Sequence, residues 1–375
     1  MVLRSVRGGC KLDSMRTGTA NLPLHGGNAP AWLFGRMTKL SREIVSLMVM
    51  EFGTEEVLAK LSDPYWFQAL GCVLGFDWHS SGVTTTVCGA IKEGLKGLEG
   101  ELGLYVAGGK GKVSRKTPEQ ICEHAERHCV DVDPAKLVYA SRMSAKVDNT
   151  AVQDGYQLYH HVFAFDRSGN WAVIQQGMND ENGWARRYHW LSSGVTDFVC
   201  EPHAAICSDS KGQLTLNMVA GEAGDSRQTS AELANQPVEK LIKEVKRMQE
   251  LTLPRHHEVL ISDLKPKSLE KTLLKAYERR PANFQELLET QGVGPKSIRA
   301  LAMIADIVYG SAACTRDPAK FSFAHGGKDG FPYPVDKKLY DRSISTIKRA
   351  VEKAKVGDME KVEAIRRLGR FYEID

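Results

Sequence analysis

The chain has no long apolar run. No stretch approaches the ~20 residues that span a bilayer, and "IVSLMVMEF" is short and runs into a charge. It also lacks an export signal: "MVLRSVRGGCKLDSMRTG" carries basic residues without an apolar core. Met15 opens the first coherent segment, so residues 1–14 are set aside as a disordered leader or a mis-called start. Paired cysteines are missing as well. Cys10, Cys72, Cys88, Cys122, Cys129, Cys200, Cys207 and Cys314 are scattered with no two-residue spacing, so reduced thiols and a cytoplasmic protein are expected. No internal repeat stands out.

What is present is enough apolar sequence, at 42%, to bury one full core or two in 375 residues. Charge is uneven. From Lys240 to Asp375 there are 27 Lys/Arg against 19 Asp/Glu, or +8; the remaining 23 against 27 give −4. The basic end suits a polyanion, although solvated lysines on helix surfaces produce the same balance.

The polar stretch "GEAGDSRQTSAELANQPVEK" places a boundary near residue 235. Before it, residues 15–235 read as an α+β domain. "TEEVLAKL" is a helix with Thr54 as its cap, and Asp63-Pro64 caps "DPYWFQALGCVLG". "TPEQICEHAERHCV" and "DPAKLVYASRMSAKV" repeat the proline signal. "YQLYHHVFAFDRSGNWAVIQQGM" reads as two strands around Arg167–Asn170, with "ARRYHWL" as a third. From residue 236 to 375 apolar residues recur at three- and four-residue spacing, which predicts a mostly helical domain.

Several polar clusters in the first half carry a chemical reading and a plainer one. Asp77, His79 and Ser80 in "GFDWHSSGVTTT" could hold a flipped base or a phosphate, or simply cap the helix near Val83. His25 in "LHGG" is a binding loop or a turn. Trp66, Trp78, Trp171, Trp184 and Trp190 could stack on bases, but core positions suit them better. Cys122, His124, His128 and Cys129, and separately Cys200, His203 and Cys207, lack established zinc spacing, so no metal is expected. In Tyr159-His160-His161, strand alternation splits the two histidines between faces. Ser80 has no nucleophile-elbow context.

The sharpest local signal is "NFQELLETQGVGPKSIRALAMIADIVYG". Phe284, Leu287 and Leu288 give one helix its apolar side, and Ile298, Leu301, Ala302, Ala305 and Val308 the next. Gly292 and Gly294 supply a tight turn between them, and Pro295 suits the first helical position. Free amides at that helix start can bind a phosphate oxygen. Gly292, Val293, Gly294, Ser297 and Arg299 are therefore expected to meet a DNA backbone without reading sequence. A ligand-free helix–helix turn is the plainer reading.

Over some 25 residues this segment resembles the helix-hairpin-helix motif. With Pro334-Val335-Asp336 opening a later helix, it is similar to the DNA glycosylase superfamily built on that motif. Its bifunctional members have a lysine after the glycine turn and an aspartate in a Pro-Val-Asp stretch. The resemblance implies Lys296 as the nucleophile and Asp336 as the carboxylate that stabilises the sugar cation. Lysine attacks only as the free amine, which the positive end of a helix and partial desolvation favour. The target nucleotide must leave the duplex first. The Lys296-to-Asp336 spacing is longer than in most of the superfamily and nearer the archaeal oxoguanine-type branch. No four-cysteine iron–sulfur signature follows, so no cofactor is expected. Asp336 as a plain helix cap remains open.

"TGTANLPLHGGNAPAWLF" and "DPYWFQALGCVLGFDWHSSGVTTTVCGAIKEGL", taken with the hairpin, resemble the prokaryotic domain-of-unknown-function family 763 from Met15 onward. That resemblance implies excision of oxidised pyrimidines such as 5-hydroxyuracil. The expectation is thus a base-excising glycosylase with abasic-site lyase activity, its partner a duplex with a flipped damaged nucleotide. Two alternatives stand beside it: a non-catalytic backbone clamp, and a nuclease using Asp148, Asp154 and Asp166 in the first half.

Overall fold

In a computed structural model, the described residues are 29–76, 82–181, 183–208, 215–250, 264–319, 337–354 and 356–373, the side chains of 268, 337–344 and 368–373 excepted. The molecule mixes α and β. Its centre is a five-stranded antiparallel sheet in the order β1-β3-β4-β5-β6. These strands are Leu104–Lys110, Gln157–Asp166, Trp171–Asn179, Trp184–Leu191 and Ala205–Cys207; β2 (Val152–Gln153) and β7 (Leu216–Asn217) form a separate pair.

Alternation along β3 decides which side chains reach which helices. Phe163 and Phe165 join Tyr105, Val173 and Trp190 in one core, while Val162 and Ala164 join Val106, Ala172 and Ile174 in another. The second core is closed by α1 (Ala31–Ser62), α2 (Pro64–Leu74) and α3 (Gly82–Leu95). The first is closed by α5 (Thr117–His128) and α6 (Pro134–Lys146), which follow the four-residue α4 (Glu99–Leu102), and by α7 (Gly224–Ala234) to α9: Val238–Glu250 is α8 and Pro266–Arg279 is α9. The hairpin helices α10 (Phe284–Glu289) and α11 (Pro295–Tyr309) complete it.

Several local signals translate directly. Asp63 accepts from the amides of Tyr65 (2.9 Å) and Trp66 (3.3 Å) ahead of Pro64, and Asp133 accepts from Ala135 (2.9 Å) ahead of Pro134. Thr54 departs from its expected capping role: its hydroxyl donates to Asp166 at 3.0 Å, tying α1 to the end of β3. The non-helical residue is Gly53 (φ 82°), which breaks α1 into two segments. At Gly108 (φ 94°) an added Cβ would sit 2.2 Å from the His161 carbonyl oxygen, so the bend in β1 requires glycine.

The boundary near residue 235 does not divide the cores. Helix α11 packs against α7 on the other side of that boundary, and Tyr105 shares a core with Ala305. The last helices, α12 (Lys337–Lys353) and α13 (Asp358–Glu373), pack instead on α1 and α2 in the second core, through Ile347, Ala350, Val351 and Ala364. Each core draws on residues from both sides of that boundary. Among the described residues no helix is long and apolar enough to cross a membrane.

Candidate nucleic-acid interface

The hairpin forms as its sequence predicts. Asn283 accepts from the amide of Glu286 (2.9 Å) while the Glu286 carboxylate accepts from the amide of Ala282 (2.9 Å), a reciprocal cap that starts α10. Gly292 takes φ 92°, a left-handed turn that a Cβ would strain. The Gly294 carbonyl then accepts from Ser297 (3.0 Å) and Ile298 (3.1 Å), and α11 begins at Pro295. Gly292 and Lys296 are exposed, with Gly294 and Pro295 half-buried between them. A short surface strip therefore combines the turn's glycines with a lysine in the first turn of a helix.

Three of the expected backbone-binding residues are engaged or buried within the protein. Val293 is 1% exposed; its amide donates to Thr290 (3.1 Å) and its carbonyl accepts from Lys146, so its polar atoms are committed inside the protein. Arg299 is half-buried and donates to the Gln153 side chain at 2.8 Å, which makes it an internal tie. Ser297 is likewise buried. The exposed part of the turn is Gly292 and Lys296, with half-buried Gly294 between them. His25, Asp77, His79, Ser80 and Asp336 lie outside the described residues.

The fold adds an anchor that no local pattern announces. Lys146 donates to the carbonyl of Val293, and Gln153 donates to that of Pro295 at 2.8 Å. These two residues bracket a π-helical turn, Val147–Ala151, a rare element frequent at functional sites. Burial lowers the pKa of Lys146 from its ordinary range. Further along, Tyr139 donates to Glu289 (2.6 Å) and accepts from Gln285 (2.6 Å), fixing α10 to α6. Burial first, then the Glu289 carboxylate, push the Tyr139 phenol up to about 12.

Inside the π-helical turn sits Asp148, fully buried, accepting from Gln175 (2.6 Å), Trp190 (3.0 Å) and His203. Its acceptor-only carboxylate fixes every proton in the chain behind it. The Gln175 amide nitrogen must face Asp148, so its oxygen faces His161 Nδ1 (2.9 Å). That nitrogen carries the proton, leaving Nε2 to accept from the Ser141 hydroxyl at 2.8 Å. The result is a directional, fully buried network beneath the hairpin's anchor.

The other clusters resolve into separate uses. Asp154 pairs with Arg186 (2.7 Å) and accepts from Tyr188 (2.8 Å), and Asp166 accepts from Thr54 and from Asn170. Each of the three carboxylates considered for a nuclease thus has its own partners, and among the described residues no group of three His, Cys, Asp or Glu stands in a metal-binding arrangement. His128 stacks on Tyr105 at 5.2 Å and His124 lies tilted against it at 5.7 Å, beside exposed Cys122 and Cys129. The two histidines line a cavity of about 590 Å³ with Lys92, whose ammonium donates to Gly108 O and Gln120 Oε1, both at 2.7 Å. Trp66 and Trp190 are core residues.

A family described as "Protein of unknown function (DUF763)" matches residues 18–335. The chain belongs to that family. The match covers the sheet, both cores' shared elements and the whole hairpin of this DUF763 protein, Lys296 included. No curated protein and no solved structure matches it. The comparisons give no support to the likeness to glycosylases, which rests on the residues alone.

Proposed function

We propose that this DUF763 protein is a DNA glycosylase with abasic-site lyase activity, using Lys296 as nucleophile. The observation that carries the reading is the exposed lysine in the first turn of α11, after a turn that is left-handed at Gly292 and whose Val293 and Pro295 carbonyls are held by Lys146 and Gln153. The amides of Ser297 and Ile298 are taken by the Gly294 carbonyl, so a phosphate would meet the exposed backbone of the turn and the lysine on the same strip.

In the proposed reaction the neutral Lys296 amine attacks C1′ of an extruded nucleotide. The C–N glycosidic bond breaks and the damaged base leaves with its electron pair. The nitrogen loses a proton, the sugar ring opens, and a Schiff base forms. Loss of a C2′ proton then expels the 3′ phosphate and cuts the strand. Asp336 would stabilise the cation-like sugar. In the nuclease alternative Asp148, Asp154 and Asp166 would share a site; their separate partners favour the lysine reading over it.

The test is borohydride trapping on duplexes carrying oxidised or deaminated bases. A covalent adduct is expected for the wild type and lost in Lys296→Ala; Asp336→Asn should release base more slowly while leaving DNA affinity intact. An adduct that survives in Lys296→Ala removes this lysine from the mechanism. DNA binding with neither adduct nor base release makes the hairpin a backbone clamp only.

A further inference from the structure

Helix α9 carries its positive charge in one line. Its basic residues are Lys267, Lys271, Lys275 and Arg279, each four residues after the last. The series advances about 6 Å per step, turns about 40° around the helix each time, and runs about 18 Å in all. Leu269, Leu273 and Ala276 place the apolar side of α9 in the first core, so the line runs over the outside, with Lys267 and Lys271 exposed and Lys275 half-buried. Like charges four residues apart weaken a helix, and an acid in their place would strengthen it. Glu270 and Glu278 stand instead three residues after Lys267 and Lys275 and do not pair with them. Among the described residues Lys267, Lys271 and Lys275 have no carboxylate partner. A polyanion laid along the line turns that repulsion into attraction.

Two contacts fix this line beside the hairpin turn. A Cβ added to Gly292 would lie 3.8 Å from the Thr272 hydroxyl oxygen, which puts the middle of α9 against the left-handed turn. At the end of α9, Arg279 donates to Glu289 at 2.7 Å, and the other oxygen of that carboxylate accepts from Tyr139 at 2.6 Å. One carboxylate thus pins α9, α10 and α6 together. Lys275 stands between Thr272 and Arg279 on the helix, so the line starts at the hairpin and winds away from it toward Lys267.

We propose that Lys267, Lys271 and Lys275 form a docking rail for the phosphates of duplex DNA, continuous with the Gly292 turn and Lys296. This rests on the duplex partner of the base-excision reading and deepens it. Lysines hold phosphates as point charges and read no bases, which is also what the exposed backbone of the turn offers. A line of about 18 Å is long enough to cross a major groove about 12 Å wide. Arg279 is committed to Glu289, so it positions the rail and leaves the phosphates to the three lysines.

The test is fluorescence anisotropy of an undamaged DNA duplex, titrated against salt, with wild type, Lys271→Gln/Lys275→Gln and Lys112→Gln/Lys348→Gln. The last removes the same charge from exposed sites outside α9. The rail variant is expected to lose affinity by about tenfold or more. Its slope of log affinity against log salt should flatten by about two, since each phosphate contact contributes about 0.9. The control should keep the wild-type slope. Glutamine matches lysine in helix propensity, so circular dichroism should show unchanged helix content in both. An unchanged slope in the rail variant, an equal change in the control, or no duplex binding by the wild type overturns the proposal. So does tighter binding, through the same lysines, of an RNA duplex of matching sequence. Borohydride trapping at saturating protein separates the rail from the chemistry. Rail-dependent binding without any adduct sinks the lyase reading and keeps the rail. An adduct with affinity indifferent to Lys271 and Lys275 sinks the rail alone.

Discussion

His160 and His161 are neighbours in β3, equally buried, and opposite in their surroundings. His161 faces the hairpin side, where Ser141 and Gln175 engage both ring nitrogens and Asp148 anchors the chain behind them. His160 faces α2 and α3 with neither nitrogen engaged. Burial brings both below the ordinary histidine range, His161 to about 4 and His160 to about 3. The same desolvation is thus compensated on one face and left uncompensated on the other. Around His161, where the ring nitrogens are satisfied, the sheet acts as a rigid support for the π-helical turn beneath the hairpin. Around His160, where ring nitrogens are left over, the buried face carries an uncompensated desolvation cost.

The largest expected effects break the satisfied face. Asp148→Ala leaves Gln175, Trp190 and His203 as buried donors without an acceptor, and should cost about 3–5 kcal/mol in urea unfolding. His161→Leu, which strands Ser141 and Gln175, should cost about 1–3 kcal/mol. His160→Leu strands nothing and should stay within about 1 kcal/mol of wild type. A His160→Leu protein as unstable as His161→Leu would erase the contrast between the faces.

Acid should act through both histidines. Between pH 6.5 and the folded values of about 3 and 4 the unfolded chain binds protons that the native state refuses. Their contribution to stability is therefore whole above pH 6.5 and falls as pH drops. Each adds a slope of about 1.4 kcal/mol per pH unit inside that window, or about 3 kcal/mol by pH 4 for His161 alone. Unfolding measured from pH 7.5 to 4 should lose one proton's worth of slope in either leucine variant. An unchanged slope would mean that the native protein takes up those protons.

Much of this architecture was legible because its causes are local. Asp63-Pro64 and Asp133-Pro134 start helices by satisfying nearby amides, and alternation in "QLYHHVFAFD" placed His160 and His161 on opposite faces. The glycine-rich "LYVAGGK" hid β1, whose pairing with β3 supplies its order from outside. Lys146 and Gln153 could not be read as the hairpin's anchors, since they meet Val293 and Pro295 only after the chain has built a sheet between them. For the same reason the division at residue 235 follows composition while both cores cross it. Which histidine is satisfied is a tertiary fact; only the faces were in the sequence.

Lys146→Met sharpens the comparison at smaller amplitude. It keeps the stem's apolar volume and removes one charged donor from the Val293 carbonyl, a loss of about 1–2 kcal/mol. Amide exchange should quicken at Thr290–Ser297 and leave β3 protected, because the Asp148 network does not use the lysine. Exchange that quickens equally in β3 would show that anchor and network are one cooperative unit.

The smallest effect tests the surface strip alone. Gly292→Ala places a Cβ at φ 92°, with only Thr272 as near as 3.8 Å, so strain and not collision sets its cost, about 1 kcal/mol. Relaxing that strain means rotating the peptide that presents the turn's amides, so affinity for an undamaged duplex should fall by several-fold while the buried faces of the sheet are untouched. Titrating that affinity against salt separates two origins. A backbone clamp loses affinity with its salt slope nearly unchanged, because the lost contact is an amide and Lys296 still meets phosphate. A slope that drops by about one would instead mean that the turn's geometry also positions the lysine, tying the glycine to the proposed chemistry.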